Sequence, residues 1–313
     1  MMKHGVFINQ QNTLCSIYES GLIVKNILKG ASDEYTLDYF ELNPLLQGFN
    51  WHPYDFYVIN WHPHTLPIKK VLLDKMYKPK IAIVVEVGVK EYNPFMPEDL
   101  FDAYAIIDPT KKRMGKFFPL SRPIEKAITL PLLDEKKFVL GSFGLYSNAF
   151  AEEKRFYEIV DAANLSGLES IVRINLPMGS YTYTSLTELV NYGKFLEKRA
   201  GPKVEVIISH DYMDKSVLVG WLSQHNINCF PYYRERPGLS AVTDQAIAAG
   251  RGIMTTECNT FRHVHKYISH YPKQNYLELA TSTLNGVARM REDWSQDKFR
   301  LGFDNILREL GVI

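Results

Sequence analysis

The sequence predicts an α/β protein of two doubly wound units, each a parallel sheet with helices on both faces. Short apolar runs of strand length alternate with amphipathic runs of helix length along almost the whole chain, as in parallel sheets joined by crossover helices. The chain has 313 residues, of which 46% are hydrophobic and 23% charged. This composition is typical of a soluble globular protein, and the length suits two domains of ordinary size.

In the N-terminal part, apolar runs bounded by polar or turn residues predict the strands. They cover residues 5–9, 56–61, 81–87 and 103–107. Between them, apolar residues recur every three or four positions, which predicts helices at 17–29 and 66–77. This part is shorter and less regular than the one that follows it.

The C-terminal part predicts five regular βα units. The strands are 138–143, 170–175, 204–209, 228–232 and 252–256, and the helices are 152–163, 186–199, 215–225, 240–249 and 261–270. A charged, amphipathic segment at 297–310 predicts a terminal helix, which we expect to pack back on the N-terminal domain.

A proline-rich basic stretch separates the two parts. Residues 108–137 contain four prolines and eight lysines or arginines, a composition typical of a domain boundary. The sequence therefore predicts a domain at 1–135 and a second at 136–313, both Rossmann-like and facing each other across a cleft.

Charge and cysteine content exclude several classes of function. The net charge is +1, so no overall field steers the chain toward nucleic acid. The three cysteines, Cys15, Cys229 and Cys258, show neither a disulfide framework nor zinc spacing. With no secretory signal and no membrane-spanning run, a cytoplasmic location is expected. Peripheral membrane contact stays open.

Open parallel sheets bind ligands outside the carboxyl ends of their strands, so the residues there are candidates for a site. In the C-terminal part, Gly144 follows a strand and allows close approach of a ligand. Lys154 is either a phosphate-binding cation or a solvated helix lysine. Arg173, inside an apolar strand, either pairs with a carboxylate or binds an anion.

A second group of candidates follows the strand near residue 230. The Gly-Leu-Ser loop that ends at Ser240 opens a helix, and its unpaired N–H groups and helix dipole suit a phosphate. Gln245 lies in that helix. His210 and Tyr232, both at strand ends, are expected near a base or a ribose.

The N-terminal part offers candidates for proton transfer. Glu86 interrupts the run IAIVVEVGV at its end, where a carboxylate is costly unless it pairs with a neighbouring base or acts as a general base on an acceptor hydroxyl. His62 and His64, in VINWHPHT, are alternative bases with pKa values near neutrality. The same pair could instead ligate a metal together with Asp211 or Glu86. Asp211, Glu235 and Glu257, also at strand ends, are rival carboxylates for the role of Glu86.

Two segments of the C-terminal part resemble glycosyltransferases of the GT-B fold, most of all family 4. In VLGSFGLYSNAFAEEKRFYEIVDAA, Lys154 takes the place of the family's lysine and Arg155 replaces the glycine that follows it. INCFPYY and GLSAVTDQAIAAGRGIMTTE resemble its last conserved βαβ segment. Its two glutamates, eight residues apart, are replaced by Pro237 and Gln245. The resemblance covers residues 137–265, and CSIYESG, VINWHPHT and VVEVG extend it weakly toward the N-terminus.

This resemblance implies transfer of a hexosyl or pentosyl group from a nucleotide-diphosphate sugar to a hydroxyl of a glycan or glycoconjugate. The donor is expected on the C-terminal domain, contacted by Gly144, Lys154, Arg173, His210, Tyr232, Ser240 and Gln245. The acceptor is expected on the N-terminal domain, with Glu86, His62 or His64 as base. No metal and no other cofactor is expected. The alternatives are a metal-dependent hydrolase and, because Pro237 cannot replace a carboxylate, a sugar-nucleotide-binding protein without catalysis.

Overall fold

The chain folds into two compact units, each built on a parallel sheet. The computed structural model describes residues 2–29, 33–42, 53–63, 65–66, 73–85, 100–146, 151–178, 184–235 and 238–313. Unit 1 comprises Met1–Pro123, Pro237–Leu239 and Asp293–Ile313, and unit 2 comprises Ile124–Arg236 and Ser240–Glu292.

Unit 1 contains a sheet whose described strands run in the order β2-β1-β3-β4-β5-β6. All pairs are parallel. Its elements are β1 (Lys3–Asn9), α1 (Ser16–Leu28), β2 (Tyr35–Glu41), β3 (Phe56–Asn60), β4 (Lys80–Val84), β5 (Ala103–Ile106) and β6 (Phe117–Pro119). The prediction of a parallel α/β sheet is confirmed, and the predicted strands are recovered to within a few residues.

Unit 2 contains a second sheet, also parallel throughout, in the order β11-β10-β7-β8-β9. Its strands are β7 (Phe138–Phe143), β8 (Ser170–Asn175), β9 (Val204–Ser209), β10 (Ile227–Phe230) and β11 (Gly252–Thr255). Its helices are α2 (Ala151–Lys154), α3 (Tyr157–Ser166), α4 (Leu186–Arg199), α5 (Lys215–Ser223), α6 (Val242–Ala249), α7 (Tyr276–Ser282) and α8 (Leu284–Asp293).

The central strands of the unit 1 sheet are apolar because both faces of that sheet are covered. In unit 1, successive residues of β1 alternate between two separate clusters of buried side chains: Phe7 lies in one, and Val6 and Ile8 lie in the other. The near-continuous apolar character of such strands follows from this burial on both faces.

The last helix, α9 (Gln296–Glu309), belongs to unit 1. Its buried residues Phe299, Phe303 and Ile306 follow helical spacing and lie in the same cluster as α1. The Tyr35 hydroxyl, at the start of β2, donates to Asp304 Oδ1 at 3.1 Å. The helix is thus tied to the sheet by an apolar face and by one buried polar contact.

Several predicted elements differ in the structure. The helix predicted at 261–270 is wrong, because after a 3-10 turn at Asn259–Phe261 the chain continues in turns. Apolar residues at 261, 264 and 267 suggest a helix, but they equally fit i→i+3 turns, and Val264 N and Tyr267 N donate to Phe261 O and Val264 O at 2.9 Å. The helix predicted at 152–163 is broken at residues 155–156.

Strands β2 and β6 and helices α7 and α8 were not predicted from the sequence. β2 is an edge strand with exposed residues at alternate positions, so it lacks an apolar run. Most of the helix predicted at 66–77 lies outside the described residues. No helix in the described ranges is long and apolar enough to cross a membrane. The three cysteines are buried thiols.

Candidate functional site

The topology of unit 2 marks one crevice as the natural ligand site. From β7 the chain proceeds to β8 and β9 on one side, and it then returns to β10 on the other side of β7. The strand order therefore reverses between β7 and β10. In open α/β sheets, ligands bind outside the carboxyl ends of the two strands at such a switch point.

Gly144 lies at this point, directly after β7. Its φ is 151°, which residues with a β-carbon rarely adopt. A β-carbon here would lie 2.8 Å from the Tyr232 hydroxyl oxygen and 3.2 Å from Lys154 Nζ. Its own N–H donates to Asn175 O at 3.1 Å, so the sheet pairing continues to the edge of the crevice. A side chain would close the space that glycine leaves between these groups.

Tyr232, which follows β10, supports the crevice from the other strand. Its ring is buried among aromatic neighbours, with the Phe261 centroid at 5.5 Å and the Phe156 centroid at 6.1 Å. Its hydroxyl donates to Phe143 O at 3.1 Å, and its carbonyl accepts from the Thr256 hydroxyl. Burial raises the pKa of this phenol, so Tyr232 is a hydrogen-bond donor throughout the physiological range.

Lys154 brings a positive charge to the same place. It ends α2, its ammonium group donates to Leu145 O, and Nζ lies 5.5 Å from the centre of the Tyr232 ring. An ammonium group has three N–H donors. Gly144, Lys154 and Tyr232 were predicted separately from the sequence, and the fold brings all three together at the switch point.

Arg155 follows with φ of 42° and interrupts the helix between α2 and α3. This is the position where the family that the sequence resembles has a glycine, and positive φ is the conformation that glycine tolerates best. The Arg155 guanidinium carbon lies 4.0 Å from the Tyr233 ring centre, and Nη1 donates to Glu158 Oε1 at 3.3 Å. Burial raises the pKa of Glu158, against the opposing effect of Arg155.

The start of α6 is held by buried hydrogen bonds. Ser240 N donates to Thr260 O at 3.1 Å, and the Thr243 hydroxyl donates to Ser240 O at 3.1 Å. Because the Thr243 hydrogen is engaged in this way, His263 Nε2, at 2.9 Å, is assigned as the donor to Thr243 Oγ1. Gln245 is buried one turn further along, and its Oε1 accepts no hydrogen bond within the described part of the chain.

Two predicted donor residues lie apart from this group. Arg173 packs on Trp221, with 4.7 Å between the guanidinium carbon and the ring centre, and Nη1 donates to Gln224 Oε1 at 3.0 Å. Its partners are thus a ring of α5 and the amide of the residue that follows this helix, neither a carboxylate nor the Lys154 group. His210, after β9, has Nδ1 at 3.2 Å from Leu176 O.

The predicted proton-transfer residues belong to unit 1. His62 follows β3, and its Nδ1 accepts from Thr65 N at 3.3 Å, which places the proton of the neutral ring on Nε2. His64 and Glu86 lie outside the described residues, as does Pro237. Within the ranges that the structure describes, no group of three His, Cys, Asp or Glu side chains is placed to hold a metal ion.

Residues 263–270 contain two buried histidines, His263 and His270, and the half-buried His265. A solvated basic helix face is the natural interpretation of this stretch, but it is wrong for the histidines. His263 is 1% exposed and bonded to Thr243, and the His265 and His270 ring centroids are 4.3 Å apart. Burial lowers the pKa of His265 and of His270. The only sequence signal was their spacing among apolar residues, which does not distinguish turns from a helix.

No family model matches the chain, and no curated protein matches it in sequence. Solved structures do resemble it. HepE (Alr3699) of Anabaena, solved with UDP-glucose, is 11% identical in sequence, with a TM-score of 0.63. The superposition includes 99% of this chain and 100% of HepE. The trehalose-6-phosphate synthase OtsA is 10% identical with a TM-score of 0.63, and the match covers 99% of each chain.

An O-GlcNAc transferase variant from Thermobaculum terrenum is 12% identical in sequence, with a TM-score of 0.58. The superposition includes 99% of this chain and 67% of the transferase. At such low identity the likeness concerns the fold alone. These neighbours are GT-B glycosyltransferases, whereas a specific likeness to family 4 is not among the findings. The fold class expected from the sequence, two Rossmann-like units of the GT-B type, is confirmed.

Proposed function

We propose that the protein is a glycosyltransferase that moves a sugar from a nucleotide-diphosphate sugar to a hydroxyl acceptor. The observation that carries the proposal is the meeting of Gly144, Lys154 and Tyr232 at the switch point of unit 2. A glycine and a cation at this place suit a diphosphate, which needs close backbone approach and positive charge, and the buried Tyr232 ring packs beneath the cation. The GT-B fold supports the same proposed function.

In the proposed reaction, the bond between the sugar's anomeric carbon and the diphosphate oxygen breaks, and the acceptor oxygen bonds to that carbon. Negative charge develops on the departing diphosphate. The Lys154 ammonium is suited to stabilise this charge, because a cation that is already in position needs little reorganisation. The acceptor proton passes to a base or, with retention of configuration, to the departing phosphate.

The finer assignments extend this proposal. Ser240 and Gln245 contact the nucleotide, and the buried oxygen of Gln245 suits a ribose hydroxyl. Arg173 and His210 stay donor-site candidates of lower priority, since their contacts lie elsewhere. Glu86, His62 or His64 serves as base when the configuration is inverted. The transferred group is a hexosyl or pentosyl unit, and family 4 is the proposed family.

We further propose that the reaction needs no metal ion, since Lys154 provides the charge that a metal would otherwise supply. The acceptor is a glycan or glycoconjugate, either dissolved or at a membrane surface that the enzyme contacts peripherally. Three buried cysteine thiols suit a reducing compartment, which supports a cytoplasmic location.

Lys154→Ala provides the first test. After a thermal-shift screen of UDP-, GDP-, ADP- and dTDP-sugars, calorimetry with the best donor should show binding about tenfold to a hundredfold weaker in this variant, the scale for a lost charged hydrogen bond. Lys203→Ala is the matched control, because Lys203 Nζ also donates to a carbonyl of unit 2, Gly167 O at 3.0 Å. Equal donor affinity in wild type and Lys154→Ala would remove Lys154 from the site.

Two measurements on the same protein preparation distinguish the two alternative functions, a metal-dependent hydrolase and a non-catalytic binding protein. Stoichiometric zinc or manganese that survives dialysis, and that is lost in His62→Ala, would favour the metal-dependent hydrolase. Donor binding with neither transfer nor donor hydrolysis would favour a sugar-nucleotide-binding protein.

A further inference from the structure

A hydrogen-bonded cluster lies at the carboxyl edge of the unit 1 sheet. Asn9 ends β1, Glu41 ends β2 and Asn60 ends β3, and Asn9 stands opposite Glu41 in the β1–β2 register. Tyr18, in the first turn of α1, and Tyr39 complete the cluster. As in unit 2, the strand order reverses, here between β1 and β3, so the switch point of unit 1 lies at Asn9 and Asn60, and Glu41 lies beside it.

The hydrogen bonds of this cluster run in one direction and end on Glu41. Asn60 Nδ2 donates to Asn9 Oδ1 at 2.8 Å, and Asn9 Nδ2 donates to the Tyr39 hydroxyl oxygen at 3.2 Å. The Tyr39 hydrogen is therefore directed to Glu41 Oε1, at 2.9 Å. The Tyr18 hydroxyl donates to the same oxygen at 2.8 Å.

Both phenols thus donate to the same carboxylate oxygen, Glu41 Oε1, and Glu41 Oε2 has no hydrogen-bond partner among the described residues. Asn9 and Asn60 are fully buried, whereas Glu41 is partly exposed. Burial and the neighbouring carboxylate raise the pKa of Tyr18, and burial raises that of Tyr39, so both phenols keep the protons that they donate. The result is an oriented carboxylate with one oxygen held and the other directed elsewhere.

The charges nearby favour a neutral ligand. Glu19 adds a second negative charge near Tyr18, and Lys25 Nζ lies 4.8 Å from the centre of the Tyr39 ring. Among the described residues at this edge, two carboxylates against one cation disfavour a phosphorylated or carboxylated ligand. A carboxylate oxygen beside aromatic rings suits the hydroxyl groups and the apolar face of a sugar.

We propose that Glu41, oriented by Tyr18 and Tyr39, binds hydroxyl groups of an uncharged sugar as the acceptor. This inference rests on the proposed function, which it deepens by assigning an acceptor-binding residue and a substrate class. Oε2 accepts one or two sugar hydroxyls, while Oε1 stays bonded to the phenols.

The test is an NMR titration of the full chain with methyl glucoside, methyl galactoside, methyl mannoside and, as the anionic arm, glucose 6-phosphate. At least one neutral glycoside should bind to the wild type more tightly than glucose 6-phosphate, and Glu41→Gln should weaken that binding about tenfold or more. Tyr35→Phe is the matched control. It also removes a hydrogen bond from a tyrosine of β2 to a carboxylate, but Tyr35 lies at the start of the strand and Glu41 lies at its end. The affinity of this control variant should equal that of the wild type.

Three results would overturn the proposal: no glycoside binds to the wild type, Glu41→Gln binds as the wild type does, or glucose 6-phosphate binds more tightly than the neutral glycosides. Should Glu41→Gln fail to fold, Tyr18→Phe removes one of the two donors and should weaken binding severalfold. Donor calorimetry on the same samples separates the two proposals. Donor binding without glycoside binding defeats only this inference, whereas the absence of donor binding defeats the proposed function itself.

Discussion

A β-carbon on Gly144 would lie 2.8 Å from the Tyr232 hydroxyl oxygen, closer than non-bonded atoms approach. Tyr232 cannot yield easily, because its ring is buried and its hydroxyl is bonded to Phe143 O. The two residues follow the paired strands β7 and β10, so this close approach leaves no room for a side chain at residue 144.

Gly144→Ala should therefore be destabilising by about 2 kcal/mol and should also abolish measurable donor binding. Gly167→Ala is the control, since Gly167 has φ of 67° but nothing within 4 Å of the added carbon. It should cost about 1 kcal/mol and leave donor affinity unchanged. Denaturant unfolding and calorimetry measure the two effects, and equal losses in both variants would contradict the role of the Tyr232 contact.

Tyr232→Phe should lower stability by about 1 kcal/mol while preserving the aromatic packing. The substitution leaves Phe143 O without the hydroxyl that donates to it at 3.1 Å, and an unsatisfied buried carbonyl costs about this much. Thermal and denaturant unfolding provide the measurement. A variant as stable as the wild type would mean that another donor replaces the hydroxyl.

At Arg155, glycine should be more stable than alanine, the reverse of the usual order near a helix. Both variants lose the contacts with Tyr233 and Glu158, but only glycine relieves the positive φ of 42°. The expected difference in the free energy of unfolding between Arg155→Gly and Arg155→Ala is about 1 kcal/mol. Alanine matching or exceeding glycine would show that the backbone relaxes without cost.

His225 should make the protein sensitive to acid. It is fully buried, its Nδ1 lies 2.9 Å from Asn228 Oδ1, and burial lowers its pKa to about 3 from an ordinary value of 6.5. Below pH 6.5 the unfolded chain binds a proton at His225, whereas the buried ring of the folded chain stays neutral until the pH approaches 3. The free energy of unfolding is therefore highest, with respect to His225, above pH 6.5, and it decreases as the pH falls toward 3.

The expected slope from this residue is about 1 kcal/mol per pH unit within that window. His225→Gln should flatten the pH dependence of the free energy of unfolding between about pH 6 and 4. Parallel curves for the wild type and His225→Gln would show that the ring is protonated without unfolding.

Much of the fold could be predicted because most strands are buried on both faces and so appear as apolar runs. β7, β8, β9 and α4 match their predicted limits, and the Ser185 capping box with Glu188 explains the sharp start of α4. β2 and the turns after Phe261 could not be recognised in this way. An edge strand with exposed residues at alternate positions lacks the apolar run that identifies the other strands. Apolar residues spaced three apart fit successive turns as well as a helix.

By itself, the sequence determined the two parallel α/β units and the individual candidates Gly144, Lys154 and Tyr232, because periodicity and strand ends are local properties. Only the tertiary structure decided which of them meet. The order of strands in each sheet is set by long-range pairing, and it places β10 beside β7 and so Tyr232 beside Gly144. The same pairing places Arg173 on Trp221 and gathers Tyr18, Tyr39 and Glu41 at one edge, contacts that no local pattern specifies.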